Sequence, residues 1–488
     1  MINWLLIAQG IYLTILVATM IRIIYDTTVP SKTFAYLMLV VILPVVGIVF
    51  YYAVGTNMRK RRLYADKLIG DGKVRQKLMA EAERHTGGLL ATRQELGPYK
   101  KLINLMQHTN LNPLTADNSV DILVNGEHKF PRVKEMLRRA EHHIHIEYYR
   151  FEDDLVGRGL EEILLERARA GVKIRLIYDD FGSRSIRHKM AHRLREAGAE
   201  VMPYYRMTAT TFLSRFNYRN HRKVIVIDGH TAFVGGINVS EAYDNEIGKN
   251  KNTPFWRDTH MMVKGSAVHQ LQYLFLNDWN FCTKDQKVSL EEARQHYFPE
   301  ITKPPGNIAM QIAASGPDSK APAILYSILQ AIDLAEEELL ITTPYFIPGQ
   351  SLMDNICIAA GTGLDVRLMV PRKGDSKVVS KAAASYYQRL LEAGVRIFEY
   401  EKGFVHAKTL VVDRALSIVG TANLDIRSFD LNFEVNAIVY DQTTGSQMAA
   451  TFFDDAEEAT ELTLEEWMKR GKLTRFIEKL ARLMSPVL

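Results

Sequence analysis

One eight-residue pattern, His-x-Lys-x4-Asp, occurs twice in this chain, as His221-Arg-Lys223-Val-Ile-Val-Ile-Asp228 and as His406-Ala-Lys408-Thr-Leu-Val-Val-Asp413. Gly235 and Asn238 follow the first histidine by 14 and 17 residues, and Gly420 and Asn423 follow the second at the same distances. The likeness extends upstream: Ile144–Tyr149 matches Leu340–Tyr345, Gly171–Tyr178 matches Gly363–Val370, and Arg193–Gly198 matches Arg389–Gly394. Such self-similarity predicts a fold built from two copies of one unit. Strand-like and helix-like stretches alternate through both copies, which predicts an α/β architecture.

The spacing inside the motif carries geometry. Histidine and lysine two residues apart on a strand point to the same face. Four apolar or nearly apolar residues follow, as a buried strand requires. Asp228 and Asp413 lie seven residues from their histidines, an odd spacing that places them on the other face and marks them as structural anchors. Asp228-Gly229 reads as a turn with Thr231–Val234 returning, and Leu416–Val419 repeats this return strand. The glycine-containing turn after each return strand is expected to bring Asn238 and Asn423 back beside the His–Lys pairs.

The N-terminus is of another kind. Trp4–Ile21 and Phe34–Val54 are nearly all apolar, and about 20 residues of helix cross a bilayer core of about 30 Å. A transmembrane helical hairpin is expected over residues 1–58, with helices at about 4–21 and 34–54. Arg59-Lys60-Arg61-Arg62 follows at once, with Lys67 nearby, and such a basic flank places the remainder in the cytoplasm. The net charge of +5 is small for a nucleic-acid binder. Two cysteines, Cys282 and Cys357, supply neither a disulfide framework nor a four-cysteine zinc site, and fit a reducing compartment.

The paired motifs resemble those of the phospholipase D superfamily, and with the N-terminal hairpin the chain resembles the bacterial cardiolipin synthases over nearly its whole length. Leu43-Pro44 followed by Gly47, Thr343-Pro-Tyr-Phe346, Gly420-Thr-Ala-Asn-Leu-Asp-Ile-Arg-Ser428 and the terminal Ser485-Pro486 carry the resemblance further. It implies two phospholipase D-like α/β halves forming one catalytic unit, at 119–285 and 308–455. A juxtamembrane linker (59–118), a second linker (286–307) and a C-terminal basic amphipathic segment (456–488) complete the chain.

The resemblance also implies catalytic roles for His221, Lys223, Asp228, His406, Lys408 and Asp413. His221 would be the nucleophile, and His406 first the general acid and then the general base. Asn238 and Asn423 would contact substrate. Asp258 and Glu434 fit the family's trailing carboxylates, each fixing a histidine tautomer; which carboxylate serves which histidine stays open. No metal and no cofactor is implied. The implied substrate is phosphatidylglycerol in an anionic cell membrane, with a multi-pass anchor and a cytoplasmic catalytic part. A phospholipase D-type hydrolase, a membrane-tethered nuclease and a non-catalytic scaffold are the alternatives.

Two segments bear on lipid contact. Between Tyr204 and His221 the first half holds an insertion with Phe212, Arg215, Phe216, Tyr218 and Arg219, readable as a lipid-contacting lid or a plain loop. Lys472–Met484 is amphipathic, with Leu473, Phe476, Ile477, Leu480 and Met484 on one side and Lys472, Arg475, Lys479 and Arg482 elsewhere. Its apolar face can pack on the catalytic core or lie on a membrane.

Overall fold

The computed structural model describes residues 4–27, 30–52, 72–110, 112–206, 218–247, 253–283 and 285–485. They divide into two units, one drawn from residues 1–65 and 206–218, the other from 66–205 and 219–488.

In the small unit the first apolar stretch is a single helix, Trp4–Asp26, and Leu6–Asp26 is the one helix among the described residues long and apolar enough to cross a membrane. The second stretch departs from expectation. It forms two shorter helices, Pro30–Ile42 and Pro44–Phe50. Pro44 has no N–H to donate and its ring clashes with the preceding turn, so a straight helix cannot pass through it. Residues eight apart on a straight helix are separated by about 12 Å, yet a Cβ on Gly47 would lie 2.6 Å from the carbonyl oxygen of Leu39. The chain therefore bends sharply at Leu43–Pro44, and only glycine fits the crease. Ile23, Val40 and Tyr51 make the small core of this unit. Inside it the Tyr51 hydroxyl (3.1 Å) and Arg22 (3.2 Å) both donate to Asp26, which keeps a carboxylate among apolar helices partnered. The basic run Arg59–Arg62 with Lys67, and Phe212, Arg215 and Phe216 of the expected lid, lie outside the described residues.

The large unit is the duplicated α/β body. Among the described residues, 16 strands form one sheet. Its centre is an antiparallel pair, Thr115–Val124 against Ile308–Ser315, and outward from this seam the halves repeat the same order. The first half runs through Thr259–Lys264, Thr231–Gly235, Lys223–Ile227, His143–Tyr148, Lys173–Asp179 and Glu200–Tyr204. The second runs through Asn432–Tyr440, Leu416–Gly420, Thr409–Val412, Glu338–Thr342, Asp365–Pro371 and Arg396–Tyr400. Both motif strands sit mid-sheet and are covered on both faces, which is why Val224–Ile227 and Leu410–Val412 are uninterrupted apolar runs.

Several boundaries move. The first strand begins at Thr115, ahead of the boundary expected at 119. Asn125-Gly126 opens a helix, Asn125–Arg138, with Asn125 at φ 63° making the corner. The expected juxtamembrane linker ends in a helix, Lys100–Asn110, whose Leu102, Ile103 and Met106 are buried in the core of the second half. The second linker contains a helix, Leu290–His296. Ala459–Leu462 adds an edge strand beside Arg396–Tyr400.

The C-terminal helix, Lys472–Arg482, packs against Lys377–Glu392 in an unexpected sense. Glu478 faces inward, 5% exposed and bound by Arg470 at 2.7 Å. The apolar side faces out: Leu473, Phe476 and Leu483 are 71%, 64% and 74% exposed.

Candidate active site

Each half delivers its His–Lys pair from one end of a motif strand, and the far end is pinned by the aspartate. Asp228 accepts the backbone N–H groups of Glu141, His142 and His143 (2.8–2.9 Å). Asp413 accepts those of Glu336, Glu337 and Glu338 at the same distances. Both aspartates adopt left-handed φ, 52° and 49°, a conformation their short polar side chains tolerate. These carboxylates hold the motif strand in place and do not reach the histidines.

The histidines are joined across the halves. Short parallel bridges pair Arg219–Asn220 with Asn432–Phe433, and Phe255–Arg257 with Gly403–Val405. The His221 N–H donates to the Phe433 carbonyl (2.9 Å), and the His406 N–H to that of Arg257 (2.6 Å). The next residue along each bridge is the carboxylate. His221 Nδ1 donates to Glu434 at 3.0 Å, and His406 Nδ1 to Asp258 Oδ2 at 2.7 Å. Each half thus orients the histidine of the other, which settles the pairing that spacing left open. With Nδ1 turned to a carboxylate, Nε2 is the nitrogen left for chemistry.

Neighbours of the carboxylates differ between the halves. Glu434 also accepts from the Thr421 hydroxyl (2.5 Å) and Asn432 Nδ2 (3.1 Å). At the place corresponding to Thr421 the first half has Gly236, where a Cβ would lie 2.1 Å from Asp258 Oδ1. The lysines lie between, fully or nearly fully buried. Lys223 Nζ donates to the His221 carbonyl (2.7 Å). Lys408 Nζ donates to the His406 carbonyl and lies 2.8 Å from His406 Nδ1.

Four basic groups share one buried cleft, and burial lowers each of them. Burial, opposed by Glu434 and reinforced by Lys408, brings Lys223 down to about 7. Burial, opposed by Asp258 and Glu434, brings Lys408 down to about 8. Burial lowers His221 against the pull of Glu434, and burial with Lys408 lowers His406 to about 3. Burial pushes Asp258 and Glu434 up. The facing Lys408 and His406 in one case, and His221 and Lys223 in the other, more than offset it, so both stay below the usual carboxylate range. An anion placed among these groups would raise all four bases together.

Asn238 and Asn423 are buried nearby, but their amide nitrogens are engaged. Asn238 donates to the Tyr243 hydroxyl (2.5 Å) and Asn423 to Asp425 (3.1 Å), and the two side-chain oxygens have no hydrogen-bond partner. Sequence reasoning missed the aromatic surroundings. Tyr149 packs on His221, ring centroids 4.8 Å apart. Trp256, Phe404, Tyr243 and Tyr345 enclose His406 at 5.5, 5.7, 5.7 and 6.5 Å. It also missed Arg222, buried between His221 and Lys223, which donates to Asp278 and to the Glu434 carbonyl (3.4 Å). Its counterpart is Ala407, and this mismatch inside the repeat was the available signal. Two oriented imidazoles and two ammonium groups around one cleft can bind a tetrahedral phosphoryl group, attack it and pass protons.

A family profile described as "Cardiolipin synthase, PLD-like domain" matches residues 133–278 and 328–456. The major cardiolipin synthase ClsA of Bacillus subtilis (strain 168) is 38% identical over 490 residues, covering 100% of both chains. A cardiolipin synthase of Halalkalibacterium halodurans is 36% identical and covers 100% of this chain and 95% of its own. Among solved structures, the phosphatidylserine synthase of Haemophilus influenzae Rd KW20 superposes with a TM-score of 0.59 at 15% identity, covering 80% of this chain and 100% of its own. That likeness is one of fold.

Proposed function

The chain belongs to the cardiolipin synthases of the phospholipase D superfamily, and from that premise we propose that it moves a phosphatidyl group from one phosphatidylglycerol to another, releasing glycerol. The observation that carries this reading is the cross-paired cleft, in a chain similar over its full length to enzymes that make cardiolipin.

His221 Nε2 attacks the donor phosphorus, the P–O bond to the glycerol headgroup breaks, and a phosphatidyl-His221 intermediate forms. His406 gives its proton to the departing glycerol oxygen, then takes one from the hydroxyl of the second phosphatidylglycerol as that oxygen displaces His221. Glu434 and Asp258 hold the two rings in the needed tautomer. Lys223 and Lys408 hold the non-bridging oxygens, and Asn238 and Asn423 line the substrate. The phosphodiester anion raises the four depressed bases, so binding recruits the proton that His406 spends. Incubation with phosphatidylglycerol in detergent micelles is expected to yield cardiolipin and glycerol in equal amounts. Phosphatidic acid as the sole lipid product would overturn the transferase reading in favour of a hydrolase.

The apolar N-terminal stretches anchor the chain in the cell membrane, the first helix crossing it and the second stretch folding back at Pro44 so that Tyr51 returns to Asp26, and the basic run after it keeps the catalytic part cytoplasmic. The outward face of the C-terminal helix adds a second attachment, with its apolar side chains in the lipid interface and Lys472, Arg475 and Lys479 toward anionic headgroups. A tryptophan at position 476 of the full-length protein in bilayers is expected to be quenched by brominated phosphatidylglycerol and shielded from iodide. The opposite pattern would place this face in water.

A further inference from the structure

In any double displacement through one intermediate, the acceptor hydroxyl enters where the first leaving group departed, beside the same proton carrier. Resting on the transferase reading above, the second phosphatidylglycerol must therefore place its glycerol next to His406 and its phosphate just beyond. The structure has a cavity of about 520 Å³ adjoining the rings that pack on His406, within the range of small-ligand sites. Trp256 and Phe404, two of the rings packed on His406, form one wall. Arg372, Lys373 and Lys402 supply three cations along the rest.

We propose that this cavity is the acceptor subsite, and that Arg372 and Lys373 recognise the phosphate of the second, anionic phospholipid. The duplication makes the case sharper. The Arg372 N–H donates to the Tyr400 carbonyl (3.1 Å) as the Asp180 N–H does to that of Tyr204 (3.4 Å), so the two residues occupy one position in the two halves. In the first half that turn is acidic and filled. Asp180 is tied to Arg187 at 2.8 Å, and the Phe181 ring sits between Arg184 and Arg219 at 4.3 and 4.5 Å. In the second half the same two positions are Arg372 and Lys373, and they border the cavity that Trp256 and Phe404 wall. Arg372 is held by Glu401 and Lys402 by Glu458 (3.0 Å), while Lys373 has no hydrogen bond or ion pair among the described residues. Asp375, in the same wall, accepts from the Tyr345 hydroxyl at 2.6 Å and offers a carboxylate to a glycerol hydroxyl. Water and free glycerol lack the phosphate that this wall reads, so the subsite favours a lipid acceptor over hydrolysis.

The test compares two acceptors in one incubation. Phosphatidylglycerol micelles are supplied with radiolabelled free glycerol, and cardiolipin formation is measured against exchange of label into phosphatidylglycerol. Arg372→Ala/Lys373→Ala is expected to lower the ratio of cardiolipin to exchange at least tenfold and to raise the KM for the lipid acceptor. Arg372→Lys/Lys373→Arg is expected to restore the ratio within about twofold. An unaltered ratio in the alanine variant, or a proportional fall of both reactions, overturns the proposal. A wild-type enzyme that exchanges glycerol but makes no cardiolipin overturns the reading that a second phosphatidylglycerol is the acceptor, and the subsite with it.

Discussion

Alanine at His221 and alanine at His406 are each expected to lower cardiolipin formation by about 10⁴-fold or more, the scale reached when a covalent nucleophile or its proton carrier is removed. The two are expected to separate on an activated donor. A phosphatidyl ester of p-nitrophenol departs without protonation, so His406→Ala should still release nitrophenolate in a burst. His221→Ala should show none, because His406 moves the protons and does not attack the phosphorus. The double variant is expected to be little worse than His221→Ala alone, since residues acting in one sequence do not add. Equal loss on the activated donor in both single variants would remove the division of roles. Loss of fold is separable by thermal midpoint. Glu434 keeps Thr421 and Asn432 as donors in His221→Ala, and Asp258 keeps the Thr259 N–H (2.7 Å) in His406→Ala.

The second large effect concerns the lysines. Removing one preorganised donor from a developing oxyanion costs about a hundred- to a thousand-fold, and Lys223→Ala or Lys408→Ala is expected to fall in that range. Both ammonium groups are protonated below their depressed values, about 7 and about 8, and lose charge as pH rises through them. Because kcat/KM reports the free enzyme, its decline begins as His406 loses its proton above about 3, and a second, steeper limb is expected between the two lysine values, far below an ordinary lysine. Arginine stays charged at any working pH, so Lys223→Arg, though less active, is expected to move that limb upward. A kcat/KM flat to pH 10 in the wild type would contradict the depression of the two buried lysines.

Much of this site is legible in the sequence, and the reasons are local. Period-two spacing puts His221 with Lys223, and His406 with Lys408, on one face. The odd step to Asp228 and Asp413 gives the anchors, which grip the backbone ahead of the neighbouring strand. The carboxylate exchange is not legible, because Glu434 and Asp258 reach their histidines through bridges between chain segments far apart in sequence. The aromatic enclosure of His406 draws on Tyr243, Trp256, Tyr345 and Phe404, which no single pattern links. Hydropathy marked Phe34–Val54 as one apolar stretch but is blind to the crease where Gly47 meets Leu39. Helical periodicity likewise marked Leu473, Phe476 and Leu480 as one face, yet says nothing about whether that face packs on the protein. The inward turn of Glu478 toward Arg470 leaves it facing outward.

The central claim is that two unlike copies of one motif build one site, with His221 carrying the lipid and His406 the protons. The most direct measurement is the position of the covalent adduct. His406→Ala enzyme is mixed with the activated phosphatidyl ester, quenched at alkaline pH where phosphohistidine survives, digested and mapped by mass spectrometry. The account predicts a phosphatidyl group on His221. Finding it on His406 of the wild-type enzyme, or on neither histidine while nitrophenolate is released, would contradict it.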